Sequence, residues 1–310
     1  MKNKVDRREF LLAGLGGAFA ALAGCGKQAS SQRRTPVARA ADVEGPDLAI
    51  AKDGSAADMV AAALKPYGGI GTFVKRGQTV VIKPNIGWAR MPEEAANTNP
   101  GIVAALVRQC QQAGAKAVTV LDHTCDKPSS LVYDKSGIKA AAEDAGAEVF
   151  APDRREDYAQ IEVPKGKLLD TERVVKRVLD ADVLINVPIV KVHSAVGVTL
   201  AMKNLMGVIW NRQAWHASLD LEQCIADFST AVRPTLIILD ATHALTTNGP
   251  KGPGKVVEFG EVIAGIDPVA VDAYGARLLG KQPGEIGCIV KAHELGVGEM
   301  DLDKLTIKAA

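Results

Sequence analysis

VLINVPIVKVHSAVGVTLAMKNLMG, Val183 to Gly207, opens with eight residues that are apolar but for one asparagine, and then turns abruptly polar. A Val/Ile-rich run without period-2 alternation is the pattern of a strand buried on both faces, as in a parallel sheet covered by helices. The polar part of the stretch carries Lys191, His193, Lys203 and Asn204. Lone buried charges cost several kcal/mol, so a strand ending in Lys-x-His implies that something meets those groups.

Working outward, the same alternation recurs on both sides. Residues 55–66, SAADMVAAALKP, read as a helix with Ser55 as N-cap, and GQTVVIKPN as a turn and a strand that stops at Lys83-Pro84-Asn85 because proline cannot continue a ladder. Asn99-Pro100-Gly101 opens a second helix, IVAALVRQCQQAG, with Gly114 suited to its C-cap. KAVTVLD is a β-branched strand, and SGIKAAAEDAG with AEVFAP repeats the helix–strand alternation. Gly68-Gly69-x-Gly71 lies between a helix and a strand, the wrong order for a dinucleotide cradle, and reads as a C-cap and turn. ERVVKRVLDAD precedes Val183. Beyond Gly207 come a helix-like LDLEQCIADFSTAV, the strand TLIILD, the loop TTNGPKGPG, the strand EVIAGI and a helix opened by Asp267-Pro268. The expected fold is α/β, a mostly parallel sheet with helices on both faces, built as one large domain or as two closely joined halves.

In such sheets ligands gather beyond the carboxyl ends of the strands. Several expected strands end in polar residues there: Lys83 and Asn85; Asp122 and His123; Lys191 and His193; Asp240 and Thr242. Lysines supply positive charge, histidine a proton carrier or metal ligand, and asparagine a hydrogen-bonding amide, a set suited to a phosphate, carboxylate or polarised carbonyl. The expected site therefore holds an anionic small molecule with Lys83, Asn85, Lys191, Lys203 and Asn204. His193 moves a proton, and Asp240 orients or shares it. Asn248 and Gly249, in the Gly/Pro-rich loop, bring backbone amides to the same anion. Asp122-His123-x-Cys125 and Asp240-Ala241-Thr242-His243 have residue types that bind divalent metals, but one sequence does not show that the two places meet, and no metal is assigned. Trp210, Trp215 and His216 either wall the pocket or pack. No G-x-S-x-G motif and no P-loop spacing is present, so redox or isomerisation chemistry fits better than nucleophilic hydrolysis.

Five motifs in this order, VVIKPN, VLINVPIVKVH, AMKNLMG, NGPKGPG and GIDPVAVDAYG, resemble the family of domain of unknown function 362 over roughly residues 48–300. The resemblance implies the same α/β domain and the same site segments. Some members of that family carry a ferredoxin-like module with clustered cysteines. This chain has five widely spaced cysteines and no CxxC, and four of them read as small buried hydrophobes.

The fifth, Cys25, belongs to an address. MKNKVDRREFLLAGLGGAFAALAGC has a basic start and a modestly apolar stretch; Arg7-Arg8-Glu9-Phe10-Leu11-Leu12 resembles the twin-arginine export motif. Leu22-Ala23-Gly24-Cys25 resembles a bacterial lipobox with Cys25 as the lipidated residue; the competing cleavage site, Ala38-Arg39-Ala40, lies far beyond the apolar stretch. Residues 1–24 are thus expected to be an export signal, 25–47 a polar tether and 48–310 the folded domain. The expected location is the periplasmic or extracytoplasmic face, with the export machinery and, through lipid, the membrane as partners. Residues 1–24 hold four Lys/Arg and two Asp/Glu, so the whole-chain charge of +1 becomes −1 for the remainder. A near-neutral chain offers no electrostatic footprint for nucleic acid. With 47% hydrophobic and only 4% aromatic residues, the core must rest on Ala, Val, Leu and Ile. No cofactor is identifiable from the residues.

Overall fold

The computed structural model describes residues 43–310 apart from residue 219. Arg7, Arg8, Cys25 and the expected signal and most of the tether lie outside the described residues. Among the described residues no helix is long and apolar enough to cross a membrane.

Twelve strands are described: β1 (Leu48–Lys52), β2 (Thr79–Pro84), β3 (Ala117–Leu121), β4 (Glu148–Phe150), β5 (Tyr158–Glu162), β6 (Thr171–Val175), β7 (Val183–Val187), β8 (Ile189–His193), β9 (Gly197–Thr199), β10 (Leu236–Leu245), β11 (Val256–Gly265) and β12 (Ile307–Ala309). Ten form one sheet, whose main path runs β12-β1-β11-β10-β7-β2-β3-β4; β8 pairs with β10 and β9, and β5 with β6 makes a separate ribbon. The central pairs β10–β7, β7–β2, β2–β3 and β3–β4 are parallel. Antiparallel pairing is confined to β11 against its neighbours β10 and β1, and to β9 against β8, within this sheet. The α/β class and the mostly parallel sheet match the expectation.

The central strands feed two cores. Val80 and Ile82 pack on one face with the helices Ala56–Leu64 and Pro100–Gln112, while Val81 packs on the other with Leu184, Ile237 and the helix Leu221–Ala231. Period-2 exposure to two apolar layers is why these strands read as continuous hydrophobic runs. The caps also follow the sequence: Ser55 accepts from Asp58 N–H, Asn99 from Gly101 N–H, and Asp267 from Val269 and Ala270 N–H. Gly68 is left-handed at φ 87° and caps the 3-10 turn Lys65–Tyr67 that follows the first helix.

Three local expectations change. VLINVPIV is not one strand: Pro188 has no N–H to donate, and the chain breaks into β7, which pairs with β2, and β8, which pairs with β10 farther along. EVIAGI is the end of a ten-residue strand that runs antiparallel to β10. SSLVYDK, Ser129–Lys135, forms a helix that no cap residue announced, since Pro128 holds its N-cap position without a side-chain bond.

Candidate functional site

β2, β3 and β7 are parallel, so their carboxyl ends share one edge. Just past that edge lies a cavity of about 430 Å³ lined by residues that include Lys83, Asn85, Asp122, Lys191, His193, Lys203 and Asn204. Positions far apart along the chain are thus brought together, as the strand-end rule required. They do not carry equal roles.

Lys83 is fully buried: its ammonium donates to Pro84 O (2.6 Å) and Asn204 Oδ1 (3.0 Å) and faces Asp122 Oδ1 at 2.8 Å. The last contact lies off the hydrogen-bond direction, so Oδ1 is left without an aligned donor; Oδ2 accepts from Ile86 N–H at 2.6 Å. Burial pushes Lys83 below the usual lysine range, and Asp122 opposes that. Gly207 lies flat against this pair: a Cβ there would come within 1.8 Å of Asp122 Oδ1 and 2.6 Å of Lys83 Nζ. The glycine of AMKNLMG is the floor on which the ion pair rests.

Lys191 donates to Asn85 Oδ1 at 2.9 Å and to the carbonyl of Ala96. Asn85 Nδ2 in turn donates to Asn204 Oδ1 (2.9 Å), and Asn204 Nδ2 to Asn186 Oδ1 (2.8 Å). Asn85 and Asn204 therefore hold the lysines and have their amides spent on one another, whereas the sequence suggested that they face a ligand. Burial pulls Lys191 down to about 7, with Lys203 and Lys83 adding like-charge repulsion and Asp122 opposing it.

Lys203 differs. It is 9% exposed, and among the described residues its amine has a single polar partner, the thioether of Met206 at 3.4 Å. Burial lowers it to about 8, and Arg212 adds to the fall. Thr199, opposite Lys191 in the β8–β9 pairing, also lines the cavity, and its buried hydroxyl has no partner.

His193 lines the cavity but does not titrate near neutrality: burial, followed by Lys203, His216 and Lys191, lowers it to about 3. Its Nδ1 accepts from Ala195 N–H at 3.0 Å, so the neutral ring carries its hydrogen on Nε2. The expected proton carrier is a neutral donor. His216 stacks beside it, ring centroids 6.1 Å apart, and joins the wall. Trp215 instead packs, donating to Glu172 at 2.8 Å, and Trp210 stacks on His123 in the core.

Asp240 does not join the cavity. It lines a separate hollow of about 260 Å³ with Asn99, Thr242 and His243. There it is fully buried and accepts from Asn99 N–H (2.8 Å), Thr242 N–H (3.0 Å) and Thr242 Oγ1 (2.7 Å), so it acts as a structural clamp on the start of a helix. Asp122 is the carboxylate that meets the lysines. Asp122 and Asp240 line different cavities, so the two metal-type pairs do not meet.

Asn248 and Gly249 are also displaced. Asn248 Nδ2 donates to Pro253 O, and a Cβ on Gly249 would strike Val192 O at 2.0 Å. The glycine allows the loop to press on β8, and only Pro250 of this loop reaches the cavity wall. Lys251 fastens the loop to Asp126 at 2.9 Å.

Three further residues line the cavity that the expected anion site did not include. Cys125, read from the sequence as one of the buried cysteines, is exposed on the wall, whereas Cys110, Cys224 and Cys288 are buried. Arg212 reaches Cys125 Sγ at 3.4 Å while donating to His123 O and Thr124 O, both at 2.7 Å. Thr199 is the third. Cys125 stood out only as part of Asp122-His123-x-Cys125, and no motif spacing points to Arg212 or Thr199, whose meaning comes from neighbours distant in sequence.

A thylakoid-associated protein of Synechocystis sp. (strain ATCC 27184 / PCC 6803 / Kazusa) is 29% identical over 248 residues, covering 76% of this chain and 73% of that protein. The lactate racemase apoprotein from Thermoanaerobacterium thermosaccharolyticum superposes with a TM-score of 0.47 at 12% identity over 76% of this chain, and a protein from Thermotoga maritima with 0.40 at 12% over 72%. This chain spans 57% and 55% of those two solved chains. The family described as Domain of unknown function (DUF362) matches residues 80–277, well over half of the chain and every lysine of the cavity, and the chain belongs to that family.

Proposed function

We propose that the cavity binds a small anion and catalyses a reaction of redox or isomerase type on it. The observation that supports this most is the convergence of three buried lysines and Arg212 on one hollow that holds a single carboxylate, Asp122. This leaves a surplus of positive charge where charge is costly. A stable protein gains nothing from such a surplus, and an anionic guest neutralises it. Amines at about 7 and about 8 suit proton exchange at neutral pH better than His193. The test is nuclear magnetic resonance in deuterated water with a panel of small carboxylates and phosphate esters. Tight binding with solvent deuterium entering one of them supports an isomerase. Binding without turnover favours a non-catalytic solute-capturing protein, and absence of any anion binding sinks the reading.

The address in residues 1–25 supports a second part of the proposal, that the protein is exported by the twin-arginine route and held at the membrane by lipid on Cys25. Metabolic labelling with a fatty acid should mark the wild type and not Cys25→Ser, and the variant should leave the membrane fraction. Equal labelling of both would end this part. An accessory role for another exported enzyme would instead show as co-purification of that enzyme.

A further inference from the structure

Among the cavity's three lysines, two are tied to oxygen atoms and one is not. Among the described residues Lys83 has three oxygen neighbours and Lys191 two, whereas Lys203 has only the Met206 sulfur. The backbone that carries Lys203 is fixed nonetheless. Asp272 accepts from Ala201 N–H at 2.6 Å and from Met202 N–H at 3.2 Å, pinning the short turn Ala201–Asn204 to the helix Pro268–Leu278. The result is a fixed amine with no oxygen acceptor, facing a hollow in which Thr199 Oγ1 is also unpartnered.

A site built only to hold an anion keeps its ammonium charged and surrounds it with groups that stabilise the charge. Here the opposite is seen: no carboxylate or carbonyl accepts from Lys203, and Arg212, Lys191 and Lys83 line the same hollow. Dry surroundings and neighbouring cations favour the uncharged amine, whose lone pair is a nucleophile toward carbonyl carbon. The lowering to about 8 agrees with that geometry.

We infer that Lys203 condenses with the carbonyl of a small anionic aldehyde or ketone, of the 2-oxo acid class, to form an imine. The inference rests on the reading that the cavity holds an anion, and it names the substrate class. In the first step the amine nitrogen bonds to the carbonyl carbon and the π pair moves to oxygen, which takes up a proton as nitrogen loses one. In the second the C–O bond breaks, water leaves, and nitrogen gives up its second hydrogen. Amine and carbonyl become imine and water, with no oxidant or reductant consumed. The substrate carboxylate meets the Thr199 hydroxyl and the remaining N–H of Lys191. A protonated imine draws electrons from the adjacent carbon, which is the acidity an isomerisation needs.

The full-length protein is incubated with pyruvate or glyoxylate and sodium cyanoborohydride, and the modified residue is found by peptide mass mapping. The expected result is reductive labelling centred on Lys203, roughly tenfold or more faster than with neutral acetaldehyde because the cavity concentrates anions, and slowed by inorganic phosphate. Lys203→Arg supplies a fixed positive charge and removes the nucleophile, so it should bind pyruvate calorimetrically without forming the adduct. The mapping on wild type decides the matter even where that variant fails to fold. Adducts confined to surface lysines, with pyruvate or phosphate still bound, overturn the imine and leave the anion reading standing. No adduct and no binding of either anion remove both.

Discussion

The hollow around Lys203 and the hollow around Asp240 both bury charge-bearing groups, yet they are built on opposite terms. Asp240 has three donors and nothing left to offer. Lys203 has a thioether, and Thr199 beside the same cavity has nothing. Buried charge alone therefore does not mark a site in this fold; unmet hydrogen-bonding capacity does. Lys83 stands between the two cases, charged but matched by Asp122.

The strongest way to break this contrast is Gly207→Ala. A methyl group there displaces Asp122 from Lys83, leaves a buried charge uncompensated, and should lower stability by about 3 kcal/mol or more in urea titration. An unchanged midpoint would show that the ion pair has room the structure does not give it. Next, Asp240→Ala strands the Asn99 N–H and the Thr242 hydroxyl and should cost about 2 kcal/mol of stability while leaving anion affinity at the other hollow unaltered. Loss of binding would mean that the two hollows work as one.

Lys203→Met should do the reverse, weakening anion binding about tenfold, or ~1.4 kcal/mol, with stability equal or higher. The pH dependence sharpens the same point. Lys191 and Lys203 sit near 7 and 8 folded against 10.5 ordinarily, so between about 7 and 10.5 the unfolded chain binds more protons and stability should rise with pH. Anion affinity should fall across pH 7 to 8 as the charge is lost, so the two curves should cross in direction; parallel curves would contradict the assignment. The smallest effect concerns thiols. Iodoacetamide should label Cys125 first, since Cys110 and Cys224 are buried and held up at about 12 and about 11. Labelling at equal rates would place Cys125 inside.

Much of the fold could be read from residue order, because strands covered on both faces are apolar nearly throughout: β2, β3 and β7 carry only Thr79 and Thr119, with Lys83 and Asn186 close to their ends. Strand direction was not readable: Val256–Gly265 looks the same run either way, and only the return past the 246–255 loop makes it antiparallel. The ribbon β5–β6 escaped notice because its outward residues, such as Gln160 and Glu162, dilute the apolar signal. At the site, Lys83, Lys191 and Lys203 were legible as charges out of place. Which of them was already matched depended on Asp122, Asn204 and Ala96, tens of residues away in sequence. Asp240 misled for the same reason: TLIILD reads as a strand ending at the aspartate, whereas β10 runs on to Leu245 and the carboxylate accepts from the Asn99 backbone amide.

The resting of Asp122 and Lys83 against Gly207 has an outcome in time as well as in space. Lys83 and Asp122 leave the ribosome long before Gly207 and Asn204, so the nascent amino-terminal portion bears a polar couple with no lid over it. Cutting the chain between Asp180 and Val183 should thus yield fragments that recognise nothing alone and regain recognition only when mixed, a division of labour imposed by one missing methyl group.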